Sequence, residues 1–125
     1  MTFFASWCPP CRKEFQVLNT LRNVFSPDDL TIIAVNVFED FNDNDETRLT
    51  RFLEDTTPEF HVVKGTEETK RQFGNVNRIP TLFVFDRHGQ PAMHFVHHQA
   101  ASKSTAELDE LRDAIETALS RTPNF

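Results

Sequence analysis

Two thiols three positions apart, in Trp7-Cys8-Pro9-Pro10-Cys11, constrain this chain more than any other feature. They follow a short apolar run, Phe3-Phe4-Ala5, and they open a helical pattern. In that pattern Phe15, Leu18, Leu21 and Val24-Phe25 recur at spacings of three and four. One turn of helix carries both sulfurs to the same face, within reach of a reversible disulfide. Pro9 suits the first helical position, where its missing N–H would have had no intrahelical partner. A Cys at a helix N-terminus meets the positive end of the macrodipole and unpaired backbone donors, which favour thiolate over thiol. The thiolate is the nucleophile, so one sulfur attacks and the other resolves the mixed disulfide. The spacing therefore points to dithiol redox chemistry. A zinc site is a second reading, but it needs two more ligands and the chain has no second Cys pair. The histidines His61, His88, His94, His97 and His98 could supply imidazoles, although a Cys pair opening a helix argues against it. An inert bridge is a third, and it would add little stability by closing so short a loop.

The 125 residues are expected to form one domain, residues 1–125, with enough chain for a genuine core. Thirteen Phe and no Tyr imply a core built from apolar rings. A net charge of −6 with no basic stripe disfavours nucleic acid as a partner. No apolar run is long enough to span a membrane. With three Gly and no Gly-rich phosphate loop, nucleotide binding and phosphoryl transfer have no support. Met1-Thr2-Phe3-Phe4 has neither the charged nor the long apolar region of a signal peptide. A Cys-x-x-Cys helix is normally fed by a full buried strand, and only a few residues precede this one. The expectation is a shortened first strand in a chain that lacks its natural beginning, along with any targeting segment or membrane anchor once carried there. A sheet edge exposed by that shortening could promote pairing between chains.

The periodicity predicts a helix from about Pro9 to Phe25, stopped by Ser26-Pro27-Asp28-Asp29. The β-branched run Thr31 to Val37 reads as a strand buried on both faces. Glu39 to Asp45 reads as a loop, and Glu46 to Glu54 as a helix burying Leu49, Phe52 and Leu53. A short strand, Phe60 to Val63, is ended by Gly65. Thr66 then caps a helix that carries Phe73 and closes at Gly74. Thr81 to Phe85 and Ala92 to His97 read as antiparallel strands joined by the Asp86-Arg87-His88-Gly89 turn. A last helix starts at Ser104 or Thr105 and places Leu108, Leu111, Ile115 and Leu119 on one stripe, before a fraying tail from Arg121 to Phe125. The order β-α-β-α-β-α-β-β-α predicts one mixed α/β sheet covered on both faces.

With these elements in place the chain resembles the thioredoxin fold, and more closely the TlpA-like (TlpA/ResA-type) branch of thiol–disulfide oxidoreductases. The resemblance is carried by Phe3 to Glu14, which include Trp7-Cys8-Pro9-Pro10-Cys11-Arg12-Lys13-Glu14. It is carried also by Ala34-Val35-Asn36-Val37 and by Arg78-Ile79-Pro80-Thr81 before Leu82 to Gly89. Residues 39–65 look like the α–β insertion that such members carry. The resemblance implies a cis peptide bond at Pro80 beside the Cys pair, leaving the Ile79 backbone to pair with an extended substrate segment. Read without it, Pro80 is an ordinary strand-start proline.

The resemblance also implies roles. Cys8 would be the nucleophile and Cys11 the buried resolving thiol. Trp7 would form an apolar rim over the sulfurs, its other reading being a core aromatic. Glu14, three residues past Cys11, would handle the Cys11 proton; its other reading is a first-turn carboxylate complementing the helix dipole. Thioredoxins place a buried acid six residues before the first Cys, where this chain has Thr2. Pro9 and Pro10 contribute no N–H, so a Cys8 thiolate can draw only on donors from Cys11 onward. That sets its pKa nearer the ~7 of thioredoxin than the ~3.5 of DsbA, and its potential nearer about −270 mV than about −120 mV. Two departures from the family stand out. Gln16 occupies a position usually held by a kinking Pro, and His97-His98 replaces a Gly after the last strand. Alternation puts His94 and His97 on opposite faces, which argues against a metal cluster there.

The expected activity is reduction of protein disulfides through Cys8 and Cys11, with no cofactor and no metal. The partners would be a protein thiol or disulfide substrate, for instance an apocytochrome before haem attachment or a metal-centre assembly protein, and an upstream electron donor. The family implies a site outside the cytoplasm. A cytosolic tryparedoxin- or nucleoredoxin-like dithiol protein is the alternative enzyme, since those also carry Trp-Cys-Pro-Pro-Cys-Arg. A non-catalytic module binding a partner through Ile79-Pro80 is the alternative of another class.

Overall fold

The computed structural model describes residues 1–40, 46–97 and 105–121. Among these residues nine elements follow the expected order. They are β1 (Thr2–Phe4), α1 (Pro9–Val24), β2 (Ile33–Asn36), α2 (Glu46–Thr56), β3 (His61–Lys64), α3 (Glu67–Gln72), β4 (Thr81–Phe85), β5 (Pro91–Val96) and α4 (Leu108–Ser120). The strands form one sheet in the order β3-β2-β1-β4-β5. β1 runs parallel to β2 and β2 parallel to β3, while β4 is antiparallel to both β1 and β5. The α2–β3 unit, within residues 39–65, adds the edge strand beyond β2.

β1 is short, with three residues, yet it is the central strand. The edge strands are β3 and β5, so the shortened strand is not itself a sheet edge, and its register pairs it with Thr81 and Leu82 of the five-residue β4. Thr2, Phe3 and Phe4 are all buried, and successive side chains enter opposite layers. Phe3 meets Phe73 and Phe83 on one face. Phe4 meets Phe15 of α1 and Phe52 of α2 on the other. Phe15 is the hub of that layer, with ring centroids 4.7 Å from Phe4, 5.0 Å from Phe52 and 5.1 Å from Phe60. These rings carry no hydroxyl, so a core built from them needs no buried polar partner. A second cluster on the α1 side of the sheet joins Leu18 and Leu21 of α1 to Leu82 of β4 and to Leu111 and Ile115 of α4.

The boundaries shift where tertiary bonds override local signals. α1 ends one residue early, with Phe25 extended as its C-cap and the Arg22 guanidinium donating to the carbonyls of Leu30 and Phe25. β2 starts at Ile33 because its pairings with β1 and β3 begin at Ala34 and Ile33. α2 runs two residues past Glu54, to Thr56. Gly65 follows β3 where an added Cβ would sit 2.6 Å from Val35 Cγ1. The last helix starts at Leu108 rather than at Ser104 or Thr105. Thr105 is buried and its hydroxyl donates to the Ala106 carbonyl, so Glu107 becomes the N-cap, its amide bonded to Glu110 Oε1 at 3.3 Å. Ser104, His98, the loop residues 41–45 and the tail residues 122–125 lie outside the described residues.

Truncation of the Phe15 hub to Ala removes a fully buried ring from three aromatic neighbours. It is expected to lower the unfolding free energy by about 3–5 kcal/mol, measured by urea denaturation.

Candidate active site at the cysteine pair

The chain leaves β1 at Phe4 and turns through Ala5-Ser6-Trp7, the Cys8 amide donating to the Ala5 carbonyl at 3.3 Å. Cys8 is the N-cap of α1, in extended backbone with φ −100° and ψ 105°. Pro9 and Pro10 hold the first two helical positions and offer no N–H. The Cys11 amide is therefore the first donor available, and it points at Cys8 Sγ at 3.2 Å. Cys8 and Cys11 form a disulfide with a Cα–Cα distance of 5.3 Å. Both are buried, Cys8 at 4% exposure and Cys11 at 0%, so Cys8 is the more accessible residue of the two. The donor aimed at Cys8 Sγ would also stabilise a thiolate there once the bond is reduced.

Around the pair, α1, β1 and β4 supply the remaining groups. The Ile79–Pro80 bond is cis, Pro80 is fully buried, and Ile79 packs against the cluster that holds both cysteines. The Ile79 N–H and C=O have no partner among the described residues. Trp7 is half-buried against the same cluster, and its Nε1 donates to the Phe38 carbonyl at 2.7 Å. It is thus a half-buried ring packed against the cluster of both cysteines rather than a fully buried core aromatic. Gln16 is exposed on α1, which runs unbroken through this position.

Glu14 is fully buried, and α1 has no acid in its first turn, so the reading of Glu14 as a surface charge on the helix dipole is wrong. Residues 11, 14, 15 and 18 share one helix face, which places the carboxylate on the Cys11 side of α1. Thr2 Oγ1 donates to Glu14 Oε1, whereas Oε2 has no partner among the described residues. Burial raises the Glu14 carboxyl from its ordinary 4.5 to about 7, against the smaller lowering effects of the Thr2 hydroxyl and the Met1 amine.

Glu39 carries a role that the sequence reading missed. Its carboxylate accepts from the Ser6 amide at 2.5 Å, the Ser6 hydroxyl at 2.7 Å and Asn36 Nδ2 at 2.8 Å. It therefore ties the turn before Cys8 to the end of β2. Next to it Phe38 has φ 58°, and Lys70 lies 4.2 Å from its ring centroid while pairing with Glu67 at 2.7 Å. The available signal was position: Glu39 follows the carboxyl end of a parallel strand, where open α/β sheets assemble their sites.

His94 is exposed and stacks on Phe83 at 4.2 Å. His97 is half-buried beside Pro80, its amide donating to the Pro80 carbonyl at 3.0 Å. Among the described residues no three His, Cys, Asp or Glu side chains gather as a metal-ligand group, and no helix is long and apolar enough to cross a membrane.

A dithiol at a helix N-cap beside a cis-proline, on a β3-β2-β1-β4-β5 sheet, defines the class. The sequence model of the thioredoxin-like family matches residues 1–90, and the chain belongs to that family. Among its relatives is the thiol-disulfide oxidoreductase ResA of Geobacillus kaustophilus (strain HTA426), 28% identical over 90 residues, which are 72% of this chain and 49% of that protein. Sporulation thiol-disulfide oxidoreductase A of Bacillus subtilis (strain 168) is 23% identical over 88 residues, 70% of this chain and 52% of that protein. The chain thus spans about half the length of these curated relatives. The structure of a protein assigned as thiol:disulfide interchange protein DsbE of Chlorobium tepidum superposes with a TM-score of 0.74 at 29% identity, covering 95% of this chain and 77% of that one. These similarities agree with the resemblance to the ResA-type branch drawn from the motifs.

The buried Glu14 makes a prediction for stability. Its folded pKa lies above its unfolded one, so between about pH 4.5 and 7 the folded chain holds a proton that the unfolded chain releases. Stability from this group is therefore fully present below that window and is lost as pH rises through it. The Met1 amine, lowered to about 6 by burial, acts in the opposite sense above pH 6. Between pH 4.5 and 6 the wild type is expected to lose stability relative to Glu14→Gln, approaching about 1.4 kcal/mol per pH unit in parallel urea titrations. Parallel curves for the two proteins would show that Glu14 titrates normally.

Proposed function

We propose that this protein is a thiol–disulfide oxidoreductase that reduces disulfides in protein substrates, working as a single thioredoxin-like domain. The observation that carries the reading is the bond from the Cys11 amide to Cys8 Sγ, with two prolines removing every nearer helical donor. This arrangement stabilises a Cys8 thiolate only moderately, which makes the dithiol a reductant rather than an oxidant. In the reduced protein the Cys8 thiolate attacks one sulfur of the substrate disulfide. A mixed disulfide forms and the first substrate thiolate leaves. Cys11 then gives its proton to the Glu14 carboxylate and attacks Cys8 Sγ. That step closes the Cys8–Cys11 disulfide and releases the second substrate thiolate, so two electrons have passed to the substrate. An upstream dithiol donor returns them.

Glu14 suits its part because a carboxyl that titrates at about 7 can both accept and release a proton at neutral pH. The unpartnered Ile79 backbone offers an N–H and a C=O to an extended substrate segment, with Trp7 and Pro80 flanking it. No resident cofactor or metal enters this scheme. Action outside the cytoplasm is part of the proposal, and it rests on the resemblance to the TlpA-like branch.

Titration of the Cys8–Cys11 couple in glutathione or dithiothreitol buffers, followed by Trp7 fluorescence, tests the direction of the reaction. A potential near about −270 mV is expected; one near about −120 mV would make the protein an oxidant and overturn the argument from the two prolines. Cys8→Ser is expected to abolish disulfide reduction, and retention of function by that variant would favour a binding module instead. Glu14→Gln is expected to slow exchange at pH 7 by about tenfold or more and to change its pH profile.

A further inference from the structure

We propose that Thr2 is a positioning residue for the Glu14 proton. Its hydroxyl acts as a two-position rotor, donating to the Glu14 carboxylate when that group is ionised and to the Thr81 carbonyl when it is protonated. This deepens the reading of Glu14 as proton acceptor for Cys11 and rests on it, although the rotor has readouts of its own.

The Thr2 hydroxyl has one proton and two acceptor lone pairs. Its oxygen lies within hydrogen-bond reach of two acceptors, Glu14 Oε1 and the Thr81 carbonyl at 3.3 Å. One proton serves one of them at a time. Thr2, Glu14 and Thr81 are exposed by 1%, 0% and 3%, so solvent does not compete for it. An ionised Glu14 accepts only, and Thr2 must donate to it. A protonated Glu14 has an O–H to place; it donates to Thr2 Oγ1, and the Thr2 proton turns to the Thr81 carbonyl. Both states then leave every donor of the trio paired, which a Val or Ala at this position cannot achieve. Because Oε2 has no partner among the described residues, Thr2 is the one side-chain hydrogen bond they give this carboxylate.

The rotor also links the proton to the substrate-facing loop. Thr81 directly follows Pro80, and its own hydroxyl donates to the Arg78 carbonyl at 2.7 Å. Protonation at Glu14 is thereby felt at a carbonyl beside the cis-proline. The charges around α1 leave the trio largely alone. Asp55 of α2 pairs with Arg12, and Asp109 and Arg112 of α4 pair with each other. His97 lies at the end of β5 beside Pro80, and among the described residues the Met1 amine is the one charged group that acts on Glu14.

The test uses the oxidised protein, in which neither cysteine titrates, with carbon-13 labels in the Glu side-chain carboxyls and backbone carbonyls. Glu14→Gln assigns the Glu14 resonance. In the wild type the Glu14 carboxyl and the Thr81 carbonyl are expected to titrate with one midpoint. Thr2→Val, nearly isosteric, should raise the Glu14 midpoint by about one pH unit and abolish the Thr81 response, while Thr2→Ser should preserve both. An unmoved midpoint in Thr2→Val, or a Thr81 carbonyl silent in the wild type, overturns the proposal; the second result needs no variant to fold. If Thr2→Val moves the midpoint and silences Thr81 but leaves the pH profile of disulfide exchange unchanged, the rotor stands. In that case the role of Glu14 as proton acceptor is what fails.

Discussion

β1 has a strand on each edge and a packed layer on each face, so its three side chains must find every partner they need inside the protein. Phe3 and Phe4 meet this demand with rings from opposite layers, Phe73 and Phe83 on one side and Phe15 and Phe52 on the other. Thr2 meets it with a carboxylate and a carbonyl. The rest of the site hangs from this strand. The chain leaves Phe4, makes one turn and reaches Cys8 at the cap of α1, so the sulfurs sit at the carboxyl end of the central strand. Glu39 secures the turn from the neighbouring strand, holding Ser6 through its amide and its hydroxyl. The position of the dithiol is thus set by the middle of the sheet rather than by a loop.

Two opposite treatments of charge meet at this place. The backbone withholds donors from Cys8, leaving the Cys11 amide as the near one, because two prolines occupy the positions that would otherwise add more. The core takes in Glu14 and gives it one hydroxyl, so desolvation outweighs hydrogen bonding and its proton is held to near neutral pH. A carboxyl buried in this way costs stability whenever it is ionised. That cost is intelligible under the proton-accepting role proposed for Glu14, and it has no counterpart in the ring-built layers around it.

Much of this was legible in the chain. The Cys-Pro-Pro-Cys helix start, the Thr66 cap and the Asp86 to Gly89 turn depend on neighbours close in sequence, and each appears where the pattern put it; the β-branched run forms a strand trimmed to Ile33–Asn36. Glu14 could have been read as buried, since it falls at helical spacing between Cys11 and Leu18 on the apolar stripe. The start of α4 was misread because a hydroxyl can cap a helix only if it is free to turn toward it, and that of Thr105 is buried and already bonded. Glu39 was missed because its partners at Ser6 lie 33 positions away.

The sequence by itself determined the order of the elements, the dithiol and its helix N-terminus, and the poverty of donors around Cys8. All of these follow from φ angles, missing N–H groups and periodicity acting within a few residues. The tertiary structure alone decided that the shortest strand is the central one, that Thr2 faces Glu14, and that Glu39 anchors the turn before Cys8. The reason is physical. Burial and hydrogen-bond partners are properties of what the folded chain brings together, and a carboxylate at the sixth position of a helix has no local signal for the hydroxyl that will meet it.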